Sequence, residues 1–139
     1  MLLGIICNEK NQDLDTLQAV NHLYLRAVAE HMDVQPLLIP AAMPGQKFNA
    51  DRLLDTLDGV LITGNRSNIH PSHYGATATP SHEPFDRNRD AAAFSLIQGA
   101  LQRDLPMLTV CRGMQELNIV CGGSLSTDIQ TQTGKLDHR

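Results

Sequence analysis

Pro106-Met-Leu-Thr-Val-Cys111-Arg-Gly-Met-Gln-Glu-Leu-Asn-Ile-Val-Cys121-Gly-Gly123 decides the fold of this chain. Pro106 to Val110 is a short apolar run of strand length, and Met114 to Cys121 carries a helical pattern stopped by Gly122-Gly123. Between them stand Cys111, Arg112 and Gly113. A buried strand that delivers a cysteine into a tight turn opening a helix is the thiol counterpart of the nucleophile elbow. Free backbone N–H groups and the positive end of the helix dipole favour a thiolate there, and Arg112 is expected to add positive charge. Gly113 allows the close chain approach such a turn requires. The N–H of Arg112 then points where a carbonyl oxygen would become an oxyanion. The plainer reading of Cys111, a small buried apolar residue, is common for free cysteines. The order strand, Cys, Arg, Gly, helix argues against it.

Working back toward the N-terminus, strands and helices alternate. Leu2 to Cys7 reads as a strand, and Leu17, Val20, Tyr24, Ala27 and Val28 recur at helical steps, with Asn8 to Asp15 as the connecting loop bordering the site. Val34 to Ile39 is a second strand. Asn49 caps a short helix through Leu57, and Gly59 to Thr63 is a third strand. Gly64 to Phe85 has no periodicity and holds three of the six histidines, the composition of a long functional loop. Asp86 caps a helix to about Arg103, whose buried stripe would be Ala93, Phe94, Ile97, Ala100 and Leu101. The resulting order is βαβαβαβα, a doubly wound, mostly parallel α/β sheet with helices on both faces and a site at the carboxyl ends of its strands. Both Gly64 and Cys111 fall at such ends. From Ser124 to Arg139 no element is completed.

Composition narrows the functional classes. A net charge of −4 without a basic run argues against nucleic acid or an anionic membrane as partner, leaving a small polar or anionic metabolite. The N-terminus lacks the basic start and apolar core of a secretory signal, and no apolar run is long enough to span a bilayer. A cytoplasmic protein with reduced thiols is expected. Cys7, Cys111 and Cys121 have no metal-ligand or disulfide spacing, so neither a metal nor another cofactor is called for. Cys7 and Cys121 are expected in the core.

Around the nucleophile, Thr63-Gly64-Asn65 at the end of the third strand offers a second backbone N–H facing the first. Arg89 and Asp90 are expected to cap and pair within the first turns of their helix. Glu116 is either a buried structural carboxylate bonded to the loop that carries Gly64 or a solvated face residue. His70, His73, His82 and His138 stand in polar stretches without an evident carboxylate orienter, so none is assigned as a base.

Three segments resemble the class I glutamine amidotransferase superfamily, and within it the γ-glutamyl-γ-aminobutyrate hydrolase-like branch. They are Gly64-Asn-Arg-Ser-Asn-Ile-His-Pro-Ser-His-Tyr-Gly75, the Arg89-Asp90 helix leading to Leu105-Pro106, and Cys111-Arg-Gly-Met-Gln-Glu-Leu-Asn118 with Gly122-Gly123-Ser-Leu125. The resemblance implies a flavodoxin-like sheet and a γ-glutamyl thioester on Cys111. It implies that the N–H groups of Asn65 and Arg112 form the oxyanion hole and that Gly64 and Gln115 bind substrate, Gln115 helping to hold the glutamyl portion. Thr109 and Asn65 depart from the Gly, Ala or Ser common at those places and narrow the pocket. The family's general base His and its orienting Glu lie on a later strand, while this sequence ends at Arg139 and its Asp137-His138-Arg139 resembles a mid-domain His-Arg. Residues 1–139 are therefore expected to be the N-terminal portion of one amidotransferase-like domain, truncated before its C-terminal part. Hydrolysis of a γ-glutamyl amide, or transfer of its nitrogen, is the leading expectation. The alternatives are a non-catalytic fragment or interaction module, completed by a C-terminal segment or by homo-oligomerisation, and a cysteine hydrolase or chaperone-like relative without glutamyl specificity.

Overall fold

In the computed structural model, residues 1–43, 45, 47–126 and 134 are described. Four parallel strands form the sheet: β1 (Leu2–Ile6), β4 (Gln35–Ile39), β5 (Gly59–Ile62) and β6 (Met107–Thr109), in the order β4-β1-β5-β6. Side chains alternate across it with the two-residue period of a strand. Leu3, Ile5 and Leu61 face α1 (His22–His31) and meet its Val28. Ile6, Ile39, Val60 and Ile62 face the other way, into a cluster with Leu54 of α2 (Asp51–Leu54) and with Leu96 and Ile97 of α3 (Arg87–Gln102). Helix α4 (Arg112–Val120) packs on that second face through Leu117 and Val120. Both faces of the sheet are thus covered, as expected for an apolar parallel sheet. Ile5, Ile6, Ile62, Leu96 and Ile97 are wholly buried, each contributing about 1.5–3 kcal/mol of transfer free energy. No helix among the described residues is long and apolar enough to cross a membrane.

The first connection differs from the expected loop and helix. Residues following β1 form an antiparallel ribbon of β2 (Asn8–Gln12) and β3 (Asp15–Ala19), with Asp13 at φ 53° in the turn. Aspartate tolerates that conformation because its short side chain bonds locally. Leu17 lies in this ribbon and is 41% exposed, so it is not the first residue of a helical stripe. The helix starts only after Asn21, whose Oδ1 accepts from Leu23 N at 2.9 Å. A polar ribbon has no apolar alternation to reveal it, whereas Leu17 to Val28 mimicked helical spacing.

Smaller corrections concern the helices. In α3 the buried face runs Arg89, Ala92, Ala93, Leu96, Ile97, Ala100, while Leu101 is 46% exposed and Phe94 is half-buried against the His73 ring. The spacing is regular, but its first member is an arginine, so a stripe drawn through apolar residues alone is rotated off the true face. Asn49 Oδ1 does accept from Asp51 N at 2.8 Å, yet the helix it precedes is a single turn. Helix α4 begins at Arg112, two residues earlier than its apolar pattern. Cys121 is exposed just past its end and is not a core residue, whereas Cys7 is buried as expected.

Gly113 fixes how closely α4 approaches the sheet. A methyl group there would lie 2.2 Å from the Ile62 carbonyl oxygen and 2.9 Å from its carbon, both backbone atoms that cannot rotate away. Gly113→Ala should therefore destabilise the protein by about 1–3 kcal/mol, the usual cost of overpacking. Urea denaturation measures it, and a loss under half a kilocalorie would mean that α4 shifts without cost.

Candidate active site

Cys111 stands between β6 and α4 with φ 53° and ψ −108°, a backbone conformation rarely held by any residue but glycine. Its neighbours over-determine it. Val110 N donates to Ile62 O at 2.9 Å, holding the end of β6 to β5, and Gly113 N donates to Val110 O at 2.9 Å, closing the turn. Strain held at one residue by a rigid surround is characteristic of functional turns. The residue itself is exposed, so the buried, inert reading of this cysteine does not apply.

The end of β5 faces the same turn. A methyl group on Gly64 would lie 3.3 Å from Cys111 Cβ and 2.7 Å from the Tyr24 hydroxyl oxygen, so only glycine fits between them without displacement. Gly64 N donates to Tyr24 Oη at 2.9 Å, which ties the turn to α1. The next residue, Asn65, is locked by its own side chain. Its Nδ2 donates to Ser67 Oγ at 2.8 Å and its Oδ1 accepts from Arg66 N at 2.8 Å. Among the described residues, neither Asn65 N–H nor Arg112 N–H has a backbone or side-chain hydrogen-bond partner. Tyr24→Phe leaves Gly64 N–H without its acceptor and should cost about 1 kcal/mol. Thermal unfolding reports this, and an unchanged midpoint would show that water replaces the hydroxyl.

A cleft of about 630 Å³ opens at this point. Its walls come from β2 (Asn8, Glu9, Lys10), from Tyr24 and from the Gly64-Asn65-Arg66 turn, with Cys111 on its floor. The polar stretch after β1 does border the site, as a ribbon. Gln115, one turn along α4, is half-buried and is not among the residues lining the cleft, and neither is Thr109.

Beneath the cleft lies a four-membered ionic network that short-range reading missed. Arg89, Asp90, Arg112 and Glu116 are at most 1% exposed. Glu116 accepts from Arg89 Nε and Nη2 at 3.3 Å each and also bonds Arg112 Nη1. Asp90 accepts from Arg112 Nη2 at 2.5 Å and from His70 N at 3.1 Å. Arg89 and Asp90 therefore do not pair with each other at the helix start. The cap there is Asp86, which accepts from Arg89 N at 2.9 Å and from Glu9 N at 3.0 Å. Nor does Arg112 direct its charge at the sulfur. Its guanidinium turns inward and also donates to Ser67 O at 2.9 Å, while Arg89 donates to Thr63 O at 2.5 Å and bonds Asn8 Oδ1. Among the described residues the Glu116 carboxylate bonds only the two arginines, and the bonds to the loop that carries Gly64 come from Arg112 instead. Burial pushes the Glu116 carboxyl up, and the two guanidiniums pull it back. Burial likewise pushes the Cys7 thiol up against the pull of Arg89. A signal did exist in sequence: Arg112 and Glu116 are four apart on α4, Arg89 heads the buried stripe of α3, and buried charges are rarely found unpaired.

None of His70, His73 and His82 lines the cleft. His70 is held by Ser72 Oγ at 2.7 Å and Arg87 Nη2 at 2.6 Å, and His82 Nδ1 bonds Thr79. His73 does have a carboxylate neighbour, Asp90 at 3.6 Å, contrary to expectation. Burial nevertheless holds its pKa below the ordinary histidine value, with Asp90 opposing. His138 and the rest of Asp137-His138-Arg139 lie outside the described residues.

A family model described as Peptidase C26 matches residues 1–139. Among curated proteins, the chain is similar to a γ-glutamyl-γ-aminobutyrate hydrolase of Escherichia coli O157:H7, 32% identical over 139 residues, covering 99% of this chain and 53% of the relative. It is similar to a γ-glutamyl-γ-aminobutyrate hydrolase of Shigella sonnei, 31% identical with the same two coverages. A putative glutamine amidotransferase of Mycobacterium tuberculosis is 39% identical over 87 residues, 63% of this chain and 28% of that protein. The chain spans about half the length of the hydrolases it matches.

Proposed function

The chain belongs to the Peptidase C26 family, of class I glutamine amidotransferase type, and from that membership we propose that the whole protein hydrolyses γ-glutamyl amides through a thioester on Cys111. One observation carries the proposal: an exposed cysteine on a strained elbow beside a strand-end glycine, where the N–H groups of Asn65 and Arg112 have no partner among the described residues. In the proposed reaction the Cys111 sulfur bonds to the γ-carbonyl carbon while its proton passes to a base, and the carbonyl oxygen takes the negative charge. The N–H groups of Asn65 and Arg112 receive that oxyanion, a contribution of the size that makes one such donor worth about 3 kcal/mol. Collapse of the intermediate breaks the C–N bond, the departing amine takes a proton, and water then splits the thioester to release glutamate and free sulfur. Proton transfer needs a base positioned at the sulfur. In this proposal that group lies outside the described residues, since no described histidine lines the cleft.

Gln115 keeps a supporting role in this reading, as a half-buried amide one turn behind the nucleophile. Gly64, in the wall beside Cys111, borders the glutamyl chain. A cytoplasmic, reducing setting suits three free cysteines. Incubating the whole protein with glutamine and with γ-glutamyl-amines, then digesting acid-quenched samples for mass spectrometry, tests the proposal. The expected result is glutamate release together with a γ-glutamyl adduct on the peptide that contains Cys111. Release that persists after alkylation of Cys111 would sink it.

A further inference from the structure

The two N–H groups offered to the oxyanion stand on separate elements, Arg112 N at the start of α4 and Asn65 N on the turn after β5. Two such donors must each come within about 3 Å of one developing charge, so the spacing between their elements has to be fixed. A continuous chain of bonds fixes it. Arg112 Nε donates to Ser67 O at 2.9 Å, and Ser67 Oγ in turn accepts from Asn65 Nδ2 at 2.8 Å. Arg112 Nη2 reaches the next carbonyl, Asn68 O, at 3.4 Å. Behind the guanidinium, Asp90 accepts from Nη2 at 2.5 Å and Glu116 bonds Nη1. Arg112 is 1% exposed, so water does not compete for these bonds. Facing two carboxylates and two carbonyls at once takes a planar fork, which the point charge of a lysine does not provide.

Resting on the γ-glutamyl reading above, we infer that Arg112 is a positioning residue whose side chain sets the Asn65 N–H opposite its own backbone N–H, so that one residue governs both donors of the oxyanion hole. The guanidinium is not among the groups lining the cleft, and it acts through the loop it holds. Its influence falls on the step in which charge develops on the carbonyl oxygen. Alkylation of Cys111 by iodoacetamide makes no use of the hole, because the C–S bond forms as iodide leaves and no charge develops on a carbonyl oxygen. Hydrolysis and alkylation therefore respond differently to a displaced donor.

The test compares the wild-type whole protein with Arg112→Lys, which keeps a buried cation for Asp90 and Glu116 but gives up the fork. With the γ-glutamyl-amine that the wild type hydrolyses fastest, kcat should fall about a hundredfold, the usual effect of misplacing a group by about 1 Å. KM should stay within about threefold, since the donors act mainly in the transition state. The rate of Cys111 alkylation should stay within about twofold, because it follows the thiolate alone. Loss of the fold would instead lower hydrolysis and change alkylation together. Arg112→Lys hydrolysing at the wild-type kcat, or changing in alkylation as much as in hydrolysis, overturns the inference and leaves the γ-glutamyl reading standing, because the wild type still turns over. Ser67→Ala cuts the same chain nearer the surface, away from the buried charges, and replaces Arg112→Lys if that variant does not fold. A kcat about tenfold lower with alkylation unmoved is then expected, and an unchanged kcat overturns the inference. Failure of the wild type to hydrolyse any γ-glutamyl-amine overturns both.

Discussion

Glu116→Ala should cost the protein about 3–5 kcal/mol of folding stability, the range observed when one member of a buried ion pair is removed. The carboxylate is wholly buried and is shared by two guanidiniums, with Arg89 on one side and Arg112 on the other. Truncation leaves those cations with a single carboxylate between them, that of Asp90, in a place water does not reach. The size of this loss is not the net worth of the network. Burial disfavours the Glu116 charge and the arginines oppose it, and buried ionic networks in general add little stability beyond an apolar replacement of equal volume. What this one adds is position. Arg89 and Arg112 reach from the network to Thr63 O and Ser67 O, on either side of the Gly64-Asn65 turn. Urea titration followed by circular dichroism measures the loss, and a change below about 1 kcal/mol would show that the arginines find water or new partners. Glu116→Gln keeps the shape and two acceptor lone pairs, so it should lie between the wild type and the alanine variant.

The parts of the fold that were legible share a physical basis, and so do those that were not. Gly59–Ile62 and, past the exposed Leu2, residues 3–6 are buried strands, and a strand buried on both faces must be apolar throughout, whereas Met107–Thr109 is an edge strand whose Leu108 is exposed and was legible by its position before the elbow. The elbow was legible because a strand-Cys-Arg-Gly-helix order has few other uses, and Gly113 and Gly64 both sit where the structure has no room for a side chain. The β2–β3 ribbon was hidden because its strands are polar and pack little against the core, leaving no periodicity to read. Arg89, Asp90, Arg112 and Glu116 were hidden for a different reason. Charged residues on helices are usually solvated, and their burial here depends on contacts between α3 and α4 that join positions more than twenty residues apart. Local rules cannot weigh such a pairing. Asp86 shows the mixed case, since its capping role was legible and its bond to Glu9 N was not.

Cys111→Ala should abolish γ-glutamyl hydrolysis by the whole protein, with a fall of at least about a thousandfold in kcat, as when other covalent nucleophiles are removed. The residual rate would come from the oxyanion donors and from bound substrate alone. Stability separates this effect from unfolding. Cys111 is exposed and fills no cavity, so the alanine variant should unfold within about 0.5 kcal/mol of the wild type. Glycine at the same position sharpens the test. Holding a side chain at φ 53° and ψ −108° costs about 1–3 kcal/mol, and glycine releases that strain while adding about 0.5–1 kcal/mol of chain entropy to the unfolded state. Cys111→Gly should therefore be as inactive as Cys111→Ala yet more stable by about 1 kcal/mol. A more stable, inactive glycine variant would mean that the strain is kept for the sake of presenting sulfur. Equal stability of the two variants would show the turn to be unstrained, and retained activity in either would remove Cys111 from the reaction.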